Sequence, residues 1–448
     1  MGAFPAACTN AGVAALNWNL LAEDVSLPVA VLYEARVRHN LQWMQRFMEA
    51  YRVKLAPHGK TTMSPALFQR QVDNGAWGIT LATAPQVVAA YNHGIRRVLM
   101  ANQLVGRANM ALIAKLLRDP AFTYFCIVDS VANAAQLGRY FGEQGLVLPV
   151  LIELGPAGGR TGVRDDAQLQ AVAEEIGRWP GLALAGIEVY EGVLQEETAI
   201  RAFLRRATDA LRGLASTGRL RKNGPALISG AGSAWFDVVA EEFSQLDIGA
   251  PLEIVLRPGC YLSHDVGVYR SAAERINAHN PVAHKMEPGL QPALQVWAYV
   301  QSLPEPGRAI VAMGKRDAAF DAGLPTPSLH FRPGQSAPGA APSQWKLTAM
   351  MDQHAFMQIG ENDDIQVGDM IAFDISHPCL TFDKWRQVLL VDEQYRVIDV
   401  ADTFSEPLRA ARPRVPLRYR QAPRPGARTN SGIRRLTGLS LNHATTCF

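Results

Sequence analysis

Apolar segments typical of β-strands alternate with helical stretches over residues 53–256. The helical stretches are rich in Ala, Leu and Gln, as in 85–93, 109–118 and 167–178. Strands that alternate with helices are typical of a parallel sheet joined by crossover helices. The count of strand candidates favours a (β/α)8 barrel over an open doubly wound sheet; they are 53–56, 78–83, 97–102, 124–129, 147–154, 184–190, 226–230 and 252–256.

The pattern changes after the last of these strands, where short strand candidates are joined by loops rich in Gly and Pro. We therefore predict a barrel domain over 34–270, of α/β class, and an all-β domain over 271–404. Strand 28–33 can pair with either domain, and 1–27 is an N-terminal extension. Residues 405–448 form a tail rich in Arg and Pro, which we expect to be disordered.

The net charge of +3 hides an uneven distribution of basic residues. Residues 407–448 hold nine arginines and no lysine or acid; removing these nine from the 44 basic residues leaves 35 against 41 acidic ones. The tail carries no recognisable nucleic-acid-binding motif, so we expect no nucleic-acid partner. We expect neither a membrane span nor a signal peptide. Five scattered cysteines favour a reducing cytoplasm over a disulfide framework.

The first candidate catalytic residue is Lys60, which follows the apolar run 53–56 and the turn Pro57-His58-Gly59. Glycine permits a sharp turn of the backbone, so Lys60 is expected at the carboxyl end of a strand. That end carries the chemistry of α/β barrels. A lysine placed there can form a Schiff base with a carbonyl cofactor.

Other predicted strands also end in polar or glycine-rich sequence. The segment from Ser229 to Ser233 offers backbone N–H groups and two hydroxyls, which can cradle a phosphate at the mouth of a barrel. Arg160 and Arg257 follow two further strands and can hold anionic groups. A plain turn and surface salt bridges are the alternatives.

A second candidate site lies far downstream, where His377 and Cys379 are two residues apart. In an extended segment this spacing points both side chains to one face. An imidazole and a thiolate on one face form half of a tetrahedral zinc site. The remaining positions would be open to water and substrate, as in a catalytic site.

Together these motifs resemble the D-serine dehydratase and D-threonine aldolase family of fold-type III, alanine-racemase-like pyridoxal 5'-phosphate (PLP) enzymes. The resemblance runs from about residue 25 to 404 and covers the order of the motifs as well as their content. The likeness is strongest to bacterial amino acid (D-serine) deaminases. It is carried there by 313–317, 320–325, 351–355 and 381–386.

The resemblance implies a role for each motif. Lys60 matches the Schiff-base lysine, and Arg160 matches the arginine at the cofactor's phenolic oxygen. The pyridine nitrogen has two candidate partners, Tyr190 and Arg257. His377 and Cys379 match the ligands of a divalent metal, with zinc expected first and manganese, cobalt or magnesium as alternatives. The residues that match the phosphate cradle are Ser229, Gly232, Ser233, Gly259 and Cys260.

The implied activity is a dehydratase, or deaminase, that converts D-serine, D-threonine or 3-hydroxyaspartate to a 2-keto acid and ammonia. The alternative is a D-threonine-type aldolase; the aldolases carry Asp where this chain has Cys379, which favours the dehydratase. A racemase needs a second base and no metal, and non-catalytic PLP carriers lack the β domain. Besides a small D-amino acid substrate, the resemblance implies a homodimer.

Overall fold

Eight parallel strands curl into a barrel. The computed structural model describes residues 10–404, so the predicted tail and residues 1–9 lie outside the described part. The sheet order is β2-β9-β8-β7-β6-β5-β4-β3. A bridge between His58 and Thr80 joins its two ends. The strands are β2 (Lys54–Leu55), β3 (Ile79–Leu81), β4 (Arg97–Gln103), β5 (Thr123–Val128), β6 (Leu148–Leu154), β7 (Leu182–Val189), β8 (Ala226–Gly230) and β9 (Leu252–Leu256).

Alternation along the strands fills both sides of the barrel wall. In β5, Phe125 and Ile127 point into the barrel, whereas Tyr124, Cys126 and Val128 pack outward against the helices. Side chains on a strand alternate between its two faces, so an apolar run can serve both cores. The inner core consists of Ala56, Leu99, Phe125, Ile127, Leu151, Ala185, Leu227 and Val255.

The helices cover the outside of the barrel and begin at capped residues where the sequence supplies them. The side chains of Thr83, Ser130 and Asp165 each accept a hydrogen bond from the backbone N–H three residues on, which satisfies a free donor of the first turn. The helices of this domain are α1 (Glu34–Ala50), α2 (Pro65–Asp73), α3 (Ala84–Asn92), α4 (Arg107–Leu116), α5 (Val131–Glu143), α6 (Asp166–Arg178), α7 (Glu197–Ser216), α8 (Phe236–Phe243), α9 (Val268–His279) and α10 (Pro281–His284).

The second domain is built on a mostly antiparallel ten-stranded sheet, and the fold class predicted from the sequence is confirmed. Its main path runs β13-β12-β16-β10-β1-β17-β18, with β11, β14 and β15 extending from β10. The elements are β1 (Val29–Tyr33), β10 (Leu294–Glu305), β11 (Arg308–Val311), β12 (Thr326–Phe331), β13 (Gly339–Ala340), β14 (Lys346–Met350), β15 (Ala355–Gln358), β16 (Met370–Asp374), α11 (Pro378–Phe382), β17 (Gln387–Val391) and β18 (Val397–Asp402).

Strand β1 pairs with the second domain although it precedes the barrel in the chain. It lies between β10, to which it is antiparallel, and β17, to which it is parallel. Of the two pairings that the sequence leaves open, the structure contains this one. Every helix within residues 10–404 is too short or too polar to span a lipid bilayer.

The backbone hydrogen bonds that hold the second domain against the barrel mouth include two close to the Lys60 turn and α11. The N–H of Val266 donates to the carbonyl of Ile375 at 3.1 Å, and the N–H of Phe404 donates to the carbonyl of Met63 at 2.8 Å. Val266 follows the last barrel strand, and Met63 follows the Lys60 turn. The helix α11, which begins just after Ile375, is thereby brought to the carboxyl ends of the barrel strands.

Candidate active site at the barrel mouth

Lys60 lies in a 3-10 turn, Gly59–Thr61, beyond the end of β2. Its side chain is exposed, whereas the neighbours Gly59 and Thr61 are buried. The backbone turns at Gly59 as expected, and it does so without a positive φ. A Cβ at this position would approach the ring of Phe68 to 2.7 Å. Glycine is required here by close packing of the turn against α2.

Arg160 and Tyr190 meet across two adjacent strand ends. Arg160 is exposed in the loop after β6, and its guanidinium carbon lies 5.1 Å from the centre of the Tyr190 ring. Tyr190 directly follows β7 and is half-buried. A guanidinium over an aromatic face is an attractive arrangement. The two side chains therefore form one edge of the site.

Arg257 is buried below this edge rather than exposed on the surface. It forms an ion pair with Glu188, and its Nη2 also donates to the carbonyl of Val189 at 3.0 Å. Its Nε donates to the hydroxyl of Ser229 at 3.0 Å. Burial raises the pKa of Glu188 to about 7, against the opposing effect of the Arg257 charge. The alternative of a surface salt bridge at Arg257 is wrong, because both partners are buried in the barrel.

The predicted phosphate cradle is assembled from four of its five residues. The hydroxyl of Ser233 accepts hydrogen bonds from the N–H groups of Gly259 and Cys260 at 3.2 and 3.1 Å. Gly232 precedes Ser233 in the same turn, and a Cβ on Gly259 would lie 2.6 Å from the carbonyl oxygen of His58. The cradle therefore packs directly against the Lys60 turn.

Ser229 does not lie in this cradle. Its side chain is fully buried, donates to the carbonyl of Val255 at 2.9 Å and accepts from Arg257. The hydroxyl therefore faces the interior and supports Arg257, because Ser229 still belongs to β8 while the turn begins after Gly230. The interpretation of Ser229 as a direct phosphate ligand is not supported by this position.

Glu191 is a functional candidate that the sequence analysis did not select. Its buried carboxylate accepts hydrogen bonds from the N–H groups of Ala231 and Gly232 at 3.1 and 2.6 Å. Ala231 has a φ of +80°, a conformation that is unfavourable for a residue with a Cβ. Burial raises the pKa of Glu191, and its backbone hydrogen bonds oppose that effect. The carboxylate thus fixes the turn that carries the cradle.

His377 and Cys379 also come together, but not in the extended segment that the sequence predicted. His377 precedes α11, and Cys379 lies in its first turn, because Pro378 begins a helix at that point; proline is favoured at the first helical position. A hydrogen bond between the two side chains is the main cause that raises the pKa of His377, to about 9. The pKa of Cys379 is lowered to about 4, mainly by the Cys260 thiol and then by His377.

Asp321 holds the ring of His377, and its role was not predicted. Its Oδ2 lies 2.7 Å from Nδ1 of His377, which leaves Nε2 of the ring for another partner. Metal-binding histidines characteristically donate their second nitrogen to a carboxylate or carbonyl. Within residues 10–404, no group of three or more His, Cys, Asp and Glu side chains is arranged around a common metal position.

The metal-binding candidates and the Lys60 turn form one site. The Sγ of Cys379 lies 3.5 Å from Oγ1 of Thr61, the residue after Lys60. The same hydroxyl lies 3.8 Å from Sγ of Cys260 in the cradle. Thr61 therefore connects the exposed lysine, the cradle and the His377–Cys379 pair.

This architecture, a parallel α/β barrel with a lysine at its mouth and an antiparallel β domain packed beside it, is that of alanine-racemase-like enzymes. Residues 33–250 match the family described as "Alanine racemase, N-terminal domain", and residues 293–391 match the one described as "Putative serine dehydratase domain". The first match covers the barrel, and the second covers most of the β domain.

The chain is similar to two named enzymes and to one solved structure. The chain is 27% identical to D-threonine aldolase of Arthrobacter sp over 340 residues, 75% of this chain and 80% of that protein. It is 32% identical to D-threo-3-hydroxyaspartate dehydratase of Delftia sp. (strain HT23) over 197 residues, 41% and 51% of the two chains. The crystal structure of D-threonine aldolase from Filomicrobium marinum superimposes with a TM-score of 0.69 at 24% identity, covering 86% of this chain and 97% of that one.

Proposed function

We propose that this chain is a PLP- and metal-dependent dehydratase that converts D-3-hydroxyamino acids to a 2-keto acid and ammonia. The observation that carries the proposal is the contact of 3.5 Å between Sγ of Cys379 and Oγ1 of Thr61, next to Lys60. A substrate whose amino group is bound near Lys60 would have its β-hydroxyl near His377 and Cys379. The names of the relatives support substrates of this class.

The residues at the mouth fit the cofactor. Lys60 is exposed there and would bind the aldehyde of PLP covalently. In the cradle of Gly232, Ser233, Gly259 and Cys260, the Ser233 hydroxyl would donate to the phosphate, and the N–H groups of Gly259 and Cys260, which donate to that hydroxyl in the structure, would turn to the phosphate oxygens. The absence of a Cβ at Gly259 keeps this cradle close to the Lys60 turn.

The opposite end of the cofactor would be held by the residues above β6 and β7. Arg160 is the candidate for the phenolic oxygen. For the pyridine nitrogen we favour Tyr190, since Nε and Nη2 of Arg257 already donate to Ser229, Glu188 and Val189. Arg257 then acts as a buried cation behind the ring rather than as its direct partner.

His377 and Cys379 fit a divalent metal, and their imidazole and thiolate favour zinc over harder ions. When bound, PLP supplies an electron sink for negative charge at the α-carbon and the metal supplies Lewis acidity at the β-oxygen. With substrate bound, Lys60 would take the α-proton through Nζ. Asp321 keeps His377 oriented throughout.

The alternative reaction is retro-aldol cleavage, and the identity with D-threonine aldolase favours it. That reaction breaks the bond between the α- and β-carbons and requires a base at the β-hydroxyl. Dehydration requires loss of the β-oxygen, which a strong Lewis acid assists. The thiolate of Cys379 and the imidazole of His377 are suited to bind such a metal ion. Cys379 is therefore the residue on which we base the choice of dehydration.

The test is product analysis with D-threonine and the purified full-length protein loaded with PLP, with and without added zinc. We expect 2-oxobutanoate and ammonia in equal amounts, formed only when zinc is present. Glycine and acetaldehyde would replace this proposal with the aldolase reading. Full activity after thorough chelation would remove the metal from the reaction.

A matched pair of cysteine variants completes the experiment. Cys379→Ala is expected to abolish turnover while the visible absorbance of the bound cofactor stays in place. Cys126→Ala changes a cysteine in the outer wall of β5 and should retain turnover. Loss of the cofactor absorbance in Cys379→Ala would instead indicate a structural role for this residue.

A further inference from the structure

Cys260 and Cys379 form a close pair of thiols across the junction of the two domains. Their sulfur atoms lie 3.8 Å apart, although the residues are 119 positions apart in the chain. Cys260 begins the 3-10 turn after β9, and Cys379 lies in α11. Neither is engaged in a disulfide bond. The only other cysteine within residues 10–404, Cys126, is buried in the barrel wall.

The two thiols differ in their access to solvent. Cys379 is partly exposed, whereas Cys260 is 4% exposed. A reagent in solution can therefore reach Cys379 first, with Cys260 behind it. A disulfide has sulfur atoms about 2 Å apart, so the pair must close by a little under 2 Å. Because α11 is a helix of only five residues, a small shift of Cys379 is enough.

We propose that Cys260 and Cys379 are an oxidation site that reacts with low-molecular-weight disulfides to form an intramolecular disulfide bond between the barrel and the β domain. This inference goes beyond the proposed function and depends on it only in taking Cys379 as a metal ligand. The site is defined by a sulfur–sulfur contact within the structure, so it does not require any change of fold.

The reaction proceeds by two thiol–disulfide exchanges. The thiolate of Cys379 attacks one sulfur of the reagent RSSR, forms a mixed disulfide and releases RS⁻. The thiol of Cys260 then loses its proton and attacks the Cys379 sulfur, which releases the second RS⁻. The two cysteines lose two electrons and two protons in total, and RSSR becomes two molecules of RSH.

The disulfide would have two effects on the site. It occupies the sulfur of Cys379, which then cannot serve as a thiolate ligand. It also pulls on Cys260, whose backbone N–H donates to Ser233, and would thereby disturb the cradle. A metal bound at Cys379 would conversely protect the pair, since its sulfur would no longer be free to attack. Oxidation and metal binding are therefore expected to exclude each other.

The experiment uses full-length protein loaded with PLP, freed of metal or saturated with zinc, and treated with oxidised glutathione. Peptide mapping by mass spectrometry should find a Cys260–Cys379 cross-link, lighter by two hydrogens than the two separate peptides, in the metal-free sample. Zinc should slow its formation at least tenfold, and dithiothreitol should reverse it. A stable glutathione adduct at Cys379 with Cys260 still free would overturn the proposal.

Two controls separate this inference from the proposed activity. Cys260→Ser should stop at the glutathione adduct on Cys379, because the second thiol is missing. A cross-link that involves Cys8 or Cys447 in place of the pair would count against the site. The readout is the cysteine linkage itself, so a protein that lacks lyase activity can still form the disulfide, and an active enzyme can still fail to form it.

Discussion

The carboxylate of Asp321 and the ring of His377 are joined by a contact of 2.7 Å between Oδ2 and Nδ1. The two residues are 56 positions apart and belong to different loops of the β domain. This contact fixes which ring nitrogen of His377 is left for a metal. It therefore defines the geometry of the proposed metal site as much as the spacing of His377 and Cys379 does.

Replacing Asp321 by Ala should weaken zinc binding by about 10- to 100-fold, the usual effect of losing a carboxylate behind a histidine ligand. Asp321→Asn retains an oxygen acceptor and should lose less. The measurement is competition with a chromophoric chelator. Asp209→Ala, on the exposed face of α7, is the control; equal affinities in Asp321→Ala and Asp209→Ala would refute this role.

Lys60→Ala should remove the visible absorbance of the bound cofactor, because the covalent bond to the lysine amine is lost. The phosphate cradle remains, so PLP itself should still bind, only more weakly. Lys115→Ala, in α4, leaves the site intact and is the matched variant. Absorption spectra after removal of free PLP decide the question, and an unchanged spectrum in Lys60→Ala would assign the bond to another lysine.

Glu191→Ala should weaken PLP binding and destabilise the protein. The change leaves the N–H groups of Ala231 and Gly232 without their acceptor, a loss of about 1–3 kcal/mol for buried donors. Glu191→Gln keeps one acceptor oxygen, so its PLP affinity and its stability should lie between those of wild type and Glu191→Ala. Titration with PLP and urea unfolding provide the measurements, with Glu143→Ala at the exposed end of α5 as control. Wild-type affinity for PLP in Glu191→Ala would show that the turn at Ala231 and Gly232 keeps its conformation without the carboxylate.

The stability of the protein should carry a pH dependence from Glu188. Burial raises its pKa from 4.5 to about 7 in the folded chain, so between these values the folded state retains a proton that the unfolded state has lost. The free energy of unfolding therefore falls as the pH rises through this window. The fall is at most about 3 kcal/mol.

Glu188→Gln should remove this part of the pH dependence, because the amide stays neutral at both ends of the window. Urea unfolding at pH 5 and pH 7 measures the difference between wild type and variant. Asp209→Asn is the surface control, and it should keep the wild-type slope. The same slope in Glu188→Gln and wild type would mean that Glu188 is ionised throughout.

The barrel was predictable because each of its strands is an apolar run bounded by turns, and each predicted strand contains or overlaps an observed one. The exact bounds were not predictable. The run 53–56 forms only the short strand Lys54–Leu55, since the barrel closes beyond it through single contacts such as Thr80 N–H to the carbonyl of Pro57 at 2.9 Å. Such contacts depend on the tertiary packing of neighbouring elements, which the local sequence does not show.

The site was predictable where a motif fixes its own local structure, as in the turn that presents Lys60. It was not predictable where side chains from distant segments meet. Asp321 lies in the segment 320–325 that carried part of the resemblance, yet its contact with His377 needs both loops to be folded. The prediction that Ser229 belongs to the phosphate cradle is not supported, because Ser229 is still part of β8 and faces the interior. The turn that faces the mouth begins only after Gly230.

The position of β1 between β10 and β17 affects the order in which the domains can fold. The partners β10 and β17 begin only at Leu294 and Gln387, beyond the last barrel strand, so every barrel strand is synthesised before β1 can pair on both sides. A fragment that begins after Tyr33 would retain every barrel strand but would leave the other domain with a gap at the middle of its sheet. The two domains are separate in space, but the chain of the β domain begins before the barrel and resumes after it. Cleavage at one peptide bond therefore cannot yield the two complete domains.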